Sequence, residues 1–305
     1  MPPCPHPPPY DGTSKPFAIG LKPLDAALWL DGATPDLAGL LAEKDRLIAE
    51  RPGDVFAAEG GTEAAQREAL DLVAGFATAR EPAAWRREGG AIAVAGRRVE
   101  IDNPAEPALQ AAGRLVADDF VLMRRGDDGW RLAAASLCFP SSWVLAEKFG
   151  KPMSAIHAPV PGFAAGTRND ELIARMFDKV QPDVVVERFN WSLQGDRALY
   201  HPLPDRARDE RARAAQSRFP GADPATSAVV RVERQTLRKL PLSGDMLFTI
   251  RIHLDPMAWI ATRRDSGALA ASMAAQLSAM TPGELAYKGL AADRDRLVSA
   301  LSAMA

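Results

Sequence analysis

Apolar residues recur along the chain at two different spacings, and each spacing predicts a different element. Between residues 34 and 48 they follow helical spacing, and Thr34 with Pro35 predicts the helix start, because threonine caps a helix and proline fits its first turn. A second helix is predicted over about 62–80. Together these helices are expected to form an N-terminal cap, about 17–85, on the rest of the chain.

Alternating apolar and polar residues dominate the middle of the chain and predict antiparallel strands. Two hairpins are expected, one turning at Gly96 and one at the Gly-Asp-Asp-Gly turn 126–129. A helix is expected over 169–180. Three longer strands are predicted after the hairpins, at 184–193, 229–237 and 246–254.

Helices before and after consecutive antiparallel strands predict an α+β fold rather than a parallel doubly wound one. The C-terminal helices are expected over about 265–305, where Thr281 and Glu284 have the spacing of a capping box. Residues 1–16 are proline-rich and predict an extended arm. Residues 17–305 are predicted to form a single domain.

Composition narrows the classes of function. The 37 basic and 39 acidic residues give a net charge of −2, which argues against a general nucleic-acid surface. No apolar run approaches the ~20 residues of a membrane helix, and the arm does not resemble a secretory signal. Two cysteines, Cys4 and Cys138, are too few for a disulfide framework or a four-cysteine iron–sulfur cluster. We therefore expect a cytoplasmic protein whose electrons, if it does redox work, come from another chain.

Each of the three long predicted strands places an arginine among apolar neighbours: Arg188, Arg234 and Arg251. If their faces form a pocket, the guanidinium groups would suit carboxylates through bidentate pairing. The alternative left open is that each strand has one solvated face, as antiparallel sheets often do.

Two histidines are candidate ligands. Pro159 and Pro161 follow His157 and restrict the backbone there, so its position is expected to be well defined. His253 lies in a predicted strand and is the second candidate. For each, the alternative is a histidine that makes only structural hydrogen bonds. No HExxH, CxxC, GxSxG or nucleotide-binding glycine motif occurs.

The acidic pair Asp118 and Asp119 opens a predicted strand and could be a catalytic pair, or could mark a polar strand end. Cys138 lies between two apolar residues, which predicts a buried, unreactive thiol, with ligation of a metal cofactor by the thiolate as the alternative.

Several sequence blocks in order resemble the heme-dependent oxidative N-demethylase family (alpha-subunit-like). Blocks that recur in order are more specific than any single motif. The blocks of this chain that match the family are PFAIGLKPLD, ERPGDVFAA, DDFVLM, SLCFPSSW, EKFGKPMSAIHAPVPG, ERFNWSL, VERQTLRKLP and DMLFTIRIHLDP.

The resemblance implies a PAS-like antiparallel sheet that carries heme b and demethylates a small N-methylated amine with O₂, releasing formaldehyde. It also implies electrons from a separate flavin and iron–sulfur reductase that uses NADPH. One alternative is a PAS-like heme or small-ligand sensor without turnover. The other is a structural or partner-binding protein without heme.

The resemblance also assigns roles to residues of the matching blocks. An amine substrate is cationic, so an aromatic or acidic group is expected to face it, and Trp191 with the Asp118/Asp119 pair is the best candidate. The predicted catalytic residues are Asn190, Trp191 and Asp119, the predicted cofactor-binding residues are Arg188, Arg234 and Arg251, and the predicted iron ligand is His157, with His253 second.

Overall fold

The computed structural model describes residues 5–221 and 223–305, so Cys4 and the start of the predicted arm lie outside the described residues. The largest element is a seven-stranded antiparallel sheet with the order β1-β8-β9-β10-β6-β7-β2, and β3, β4 and β5 form a separate sheet. The strands are β1 (Lys22–Leu24), β2 (Phe56–Ala58), β3 (Trp85–Glu88), β4 (Ala91–Val94), β5 (Arg97–Glu100), β6 (Asp119–Gly126), β7 (Gly129–Ser136), β8 (Val185–Gln194), β9 (Val229–Lys239) and β10 (Met246–Pro256).

Helices precede, interrupt and follow these strands, which confirms the predicted mixture of helices and antiparallel strands. None of the described helices combines the length and apolar composition that a bilayer span requires. The α-helices are α1 (Leu37–Glu50), α2 (Pro52–Val55), α3 (Glu63–Arg80), α4 (Ala108–Gly113), α5 (Leu145–Lys148), α6 (Met153–His157), α7 (Arg168–Lys179), α8 (Asp205–Arg213), α9 (Pro224–Ser227), α10 (Ser266–Ala279), α11 (Pro282–Lys288) and α12 (Arg294–Ser302), with 3₁₀ turns at Ala26–Leu28 and Met257–Thr262.

Strand register divides the side chains of the large sheet between two faces. Arg188 lies opposite Gln235, whereas Arg234 lies opposite Phe189 and Arg251. Facing partners share a face, so the three arginines do not. We call the two sides the Arg188 face and the Arg251 face. On the long strands the Arg188 face comprises Val186, Arg188, Asn190 and Ser192 of β8, Arg231, Glu233 and Gln235 of β9, and Ile250 and Ile252 of β10.

Different elements cover the two faces. On the Arg188 face, α7 packs Phe177 against Trp130 of β7, with 5.8 Å between ring centroids. On the Arg251 face, the segment that follows β1 packs Trp29, whose Nε1 donates to Thr236 Oγ1 at 3.2 Å. The C-terminal helices pack on the same face at Trp191, in a second hydrophobic cluster.

Two local predictions differ from the structure. The helix predicted to start at Thr34 begins at Leu37, because the Leu37 amide donates to the Thr34 carbonyl at 3.0 Å and closes a turn first. The hairpin at Gly96 exists, but it pairs with β3, a strand that was not predicted. The capping box of Thr281 and Glu284 is confirmed.

The turn between β9 and β10 is attached to α3 through one buried carboxylate. Glu68 accepts from the Leu242 amide at 2.6 Å and from the Ser243 amide at 2.9 Å. We expect Glu68→Gln to destabilise the fold by about 1–3 kcal/mol, because the side-chain amide can accept from only one of the two turn N–H groups and the hydrogen bonds to a charged carboxylate are lost. Urea unfolding measures the change in the free energy of unfolding. Asp71→Asn on the exposed side of α3 is the control, with a change within about 0.5 kcal/mol; an equal loss in both variants would contradict the attachment.

Candidate functional site

The Arg188 face is incompletely covered along β8. Val186, Arg188, Asn190 and Ser192 are all half-buried, although β8 is paired on one side along its whole length. Residues of the neighbouring β9 and β10 are mostly buried. The surface left open on the Arg188 face is therefore a strip along β8.

Arg188 lies on this strip. Its Nε atom is buried and has no hydrogen-bond partner among the described residues. Burial lowers the pKa of the Arg188 guanidinium, and the Glu233 carboxylate partly offsets this effect. A buried guanidinium without a hydrogen-bonded carboxylate costs free energy, so the position suits an anionic group of a ligand.

His157 lies close enough to Arg188 for the guanidinium charge to lower the pKa of the imidazole. Burial, and then the Arg188 charge, lower the pKa of the imidazole to about 4, so it is neutral at physiological pH. The loop after it is closed by a hydrogen bond from the Val160 amide to the His157 carbonyl at 2.8 Å. The His157 ring also contacts Phe163, with 6.2 Å between centroids. A neutral imidazole at the C-terminal end of α6 is competent to bind a metal.

Glu233 supplies a buried carboxylate on the same face. It lies opposite Asn190 and is 8% exposed. Gln235 Nε2 donates to its Oε2 at 2.8 Å. In the described part of the chain no basic side chain forms an ion pair with Glu233. Buried carboxylates are normally paired, so a cationic ligand group would complete this one.

A pocket of about 400 Å³ opens between the loop after His157, α8 and α11. Pro159, Arg208 and Tyr287 are among its lining residues. Arg208 lies 5.6 Å from the centroid of the Tyr287 ring. Burial raises the pKa of the Tyr287 hydroxyl, and the Glu233 carboxylate also acts on it. The pocket thus approaches the Arg188 face from outside.

Lys288 closes the free edge of β8. Its Nζ donates to the Trp191 carbonyl at 2.6 Å and lies 5.0 Å from the Phe17 ring centroid. Burial lowers the pKa of the ammonium to about 8. Trp191 itself lies on the Arg251 face, where its ring contacts Tyr10. The structure therefore separates Trp191 from His157, contrary to their expected grouping in one pocket.

Two of the three predicted arginines bind the protein's own groups. Arg234 donates to the carbonyls of Trp29 at 2.9 Å and Leu28 at 2.6 Å. Arg251 donates to the Ile252 carbonyl at 2.8 Å. Both lie on the Arg251 face, so they do not converge with Arg188 on one ligand.

Asp31 is the carboxylate that these arginines surround. Its oxygens lie 3.4 Å from Arg234 and 3.5 Å from Arg251, and His253 Nε2 lies 3.3 Å away. Burial alone would raise the pKa of the Asp31 carboxyl, but His253, His6 and the Arg251 charge lower it well below its usual range. His253, the second predicted iron ligand, thus lies on the opposite face from His157.

The acidic pair at the start of β6 is buried among protein partners. Asp119 lies 3.1 Å from Lys44 Nζ and accepts from the Phe139 amide at 2.6 Å. Burial, and then the Asp31 charge, raise the pKa of Asp118 to about 6. Cys138 is buried, as expected, and burial raises the pKa of its thiol to about 12.

The structure thus brings together His157, Arg188 and Asn190 from the predicted set and adds Glu233, Gln235 and Tyr287. Glu233 and Gln235 were missed because the prediction followed only the side of β9 that carries Arg234. Alternation along the same strand contained the signal, since Glu233 and Gln235 flank Arg234 and must share the other face.

The model of one protein family matches residues 20–298, nearly the whole chain. That family is described as haem-dependent oxidative N-demethylase, alpha subunit-like. No curated protein matches the chain. The match confirms the resemblance that the ordered blocks indicated.

The effect of the Arg188 charge on His157 has a measurable consequence. Between pH 4 and the ordinary histidine pKa near ~6.5, the unfolded chain binds a proton that the folded chain does not, so stability is lost as pH falls through this window. We expect Arg188→Gln to raise the His157 pKa, because it removes a neighbouring positive charge. NMR titration of the His157 ring measures it. Arg175→Gln, on the exposed side of α7, is the control; equal His157 pKa values in both variants would contradict the proximity.

Proposed function

The chain belongs to the haem-dependent oxidative N-demethylase alpha-subunit-like family, and we propose that it binds heme b on the Arg188 face and oxidatively demethylates a small N-methylated amine there. One observation carries the location: a neutral histidine lies near Arg188, whose buried Nε has no hydrogen-bond partner among the described residues, beside the uncovered strip of β8. The products would be the demethylated amine and formaldehyde.

The residues on this face fit heme. Iron binds the neutral form of imidazole, and the low pKa of His157 keeps it in that form. Heme also carries two carboxylates, and the Arg188 Nε atom is a buried donor without an acceptor in the part of the chain that the structure describes. His157 would hold the iron and Arg188 would bind a propionate. Arg234 and Arg251 would act only indirectly, by fixing the opposite face.

Bound heme supplies the oxidising chemistry that acts on O₂ and an N-methyl carbon. The chain supplies recognition and exclusion of water. Glu233 would accept a hydrogen bond from the ammonium group of the amine, since Gln235 occupies only part of its hydrogen-bonding capacity. Asn190, its partner across the strands, would offer an amide to the same substrate.

The basic groups near Glu233 have other partners, which leaves the carboxylate for substrate. Arg231 donates to the carbonyls of Phe139 at 2.9 Å and Leu199 at 3.0 Å, and Lys288 donates to the Trp191 carbonyl. Arg188 would be neutralised by heme. The amine would then provide the one cation that this buried carboxylate lacks.

We further propose that electrons come from a separate flavin and iron–sulfur reductase that uses NADPH, in the cytoplasm. The description of the family as alpha subunit-like supports a multicomponent enzyme. The two cysteines of the chain cannot supply a four-cysteine cluster. We also propose that residues 17–305 form one PAS-like domain around the large sheet.

Heme binding and its ligand are tested by absorption spectroscopy. We expect heme-replete expression to give a Soret band, and His157→Ala to shift that band and reduce heme content, because the iron loses its protein ligand. His201→Ala is the matched control, since His201 lies beyond the end of β8, beside Ser141, and should leave the spectrum unchanged. A colourless wild-type protein that takes up no heme would overturn the function, and an unchanged His157→Ala spectrum would overturn the ligand.

Recognition of the amine is tested by Glu233→Gln. We expect KM for dimethylamine to rise about tenfold or more, because a hydrogen bond to a charged group is worth about 1.5–3 kcal/mol. Formaldehyde release with reductase and NADPH is the assay, and the Soret band should be retained. Glu171→Gln on exposed α7 is the control. Heme binding without formaldehyde from any N-methylated amine would indicate a sensor instead.

A further inference from the structure

The Arg251 face holds a second cluster of ligating groups, separate from the proposed heme site. We propose that His6, Asp31 and His253 bind a divalent transition-metal ion, with zinc as the best match to their chemistry. The two ring nitrogens and the carboxylate oxygen that these residues offer all lie within 4.8 Å of one another. This inference does not depend on heme binding.

The distances are close to those of a metal site. His253 Nε2 lies 3.3 Å from Asp31 Oδ2, and His6 Nε2 lies 2.9 Å from Asp31 Oδ1. Two ligands on a tetrahedral zinc at about 2.0–2.2 Å are separated by roughly 3.4 Å. The Asp31–His253 pair therefore already has the separation that a shared zinc ion requires, and only the His6 ring needs to adjust.

Among the described residues, several buried polar atoms without a hydrogen-bond partner lie around the same point. Unpartnered buried atoms are rare in folded proteins and commonly mark an ion or water. His253 is only 4% exposed, yet its Nε2 makes no hydrogen bond to the nearby carboxylate. Among the described residues, the buried atoms of this network without a hydrogen-bond partner are Asp31 Oδ2, Asp36 Oδ1, Asp118 Oδ1, Arg251 Nε and His253 Nε2.

The balance of charge also favours a divalent cation. Among the described residues, two guanidinium groups, Arg234 and Arg251, form ion pairs with carboxylates of this network. Lys44 is paired with Asp119 and does not add to them. The carboxylates that contact or act on these guanidinium groups are Asp31, Asp36, Asp118 and Glu187. The carboxylates exceed the guanidinium groups by two, so a 2+ ion would neutralise the cluster.

Ligand type selects the class of metal. Two imidazoles with one carboxylate suit zinc and similar borderline ions, whereas magnesium and calcium prefer oxygen ligands alone. Arg251 Nε, 3.5 Å from Asp31 Oδ2, and Arg234 Nη1, 3.4 Å from Oδ1, would orient the carboxylate from outside the site.

The three ligands come from distant parts of the chain. His6 belongs to the N-terminal arm, Asp31 follows the 3₁₀ turn, and His253 lies in the central strand β10. A metal ion would therefore fasten the arm and the following segment to the Arg251 face. Its role would be structural, since the ligands are separated by the sheet from His157.

Zinc titration of the full chain tests this site. The chain is stripped with a chelator and titrated with zinc chloride by calorimetry, with circular dichroism as the check of folding. We expect one zinc per chain, and at least about tenfold weaker binding in His6→Ala and His253→Gln, since even changes outside the ligand shell cost about 10–100-fold. His201→Gln is the control histidine and should bind zinc as the wild type does.

Cobalt gives a second readout, because a tetrahedral cobalt site has a characteristic visible spectrum that His6→Ala should abolish. His6 is partly exposed in the arm, so His6→Ala decides the matter even if His253→Gln does not fold. Absence of stoichiometric zinc binding by the wild type, or wild-type affinity in His6→Ala, would overturn the proposal whatever the heme content.

Discussion

The alternation of side chains along β9 is the constraint on which the rest of the structure depends. Arg231, Glu233 and Gln235 project to one face of the large sheet, while Arg234 and Thr236 project to the other. A shift of register by one residue would exchange the two sets and place every buried charge on the wrong side. Ten paired residues of β8 and eleven of β10 fix that register. This register therefore determines which side chains each face of the sheet carries.

Buried ionic contacts then close the Arg251 face. Asp31 lies among Arg234, Arg251 and His253. Removing these charged groups from water costs free energy, and this cost is offset only because each group faces an opposite charge or carbonyl oxygens. Trp29 packs beside them, and its Nε1 donates to Thr236 on the same face. We propose a large planar cofactor on the Arg188 face, where, among the described residues, the buried Arg188 Nε has no hydrogen-bond partner and the buried Glu233 carboxylate forms no ion pair.

Much of the fold could be predicted from the sequence, because its signals are local. The turn at 126–129 and the capping box at Thr281 depend on residues within a few positions of each other, and both are present. The site could be predicted only in part. Alternation shows which residues of one strand share a face, but not how separate strands align, so Arg188 was grouped with Arg234 and Arg251. The role of Asp31 depends on contacts with residues about 200 positions away, which no local pattern contains.

The location of heme is tested most directly by its effect on NMR signals from the two faces. Ferric heme is paramagnetic and broadens the resonances of nearby methyl groups. Ile250 and Ile252 project to the Arg188 face, whereas Thr249 on the same strand and Thr236 beside it project to the other. Heme loading is predicted to broaden the two isoleucine methyl signals more than the two threonine methyl signals. Broadening of the threonine signals with sharp isoleucine signals, or no broadening of either pair, would contradict heme binding on the Arg188 face.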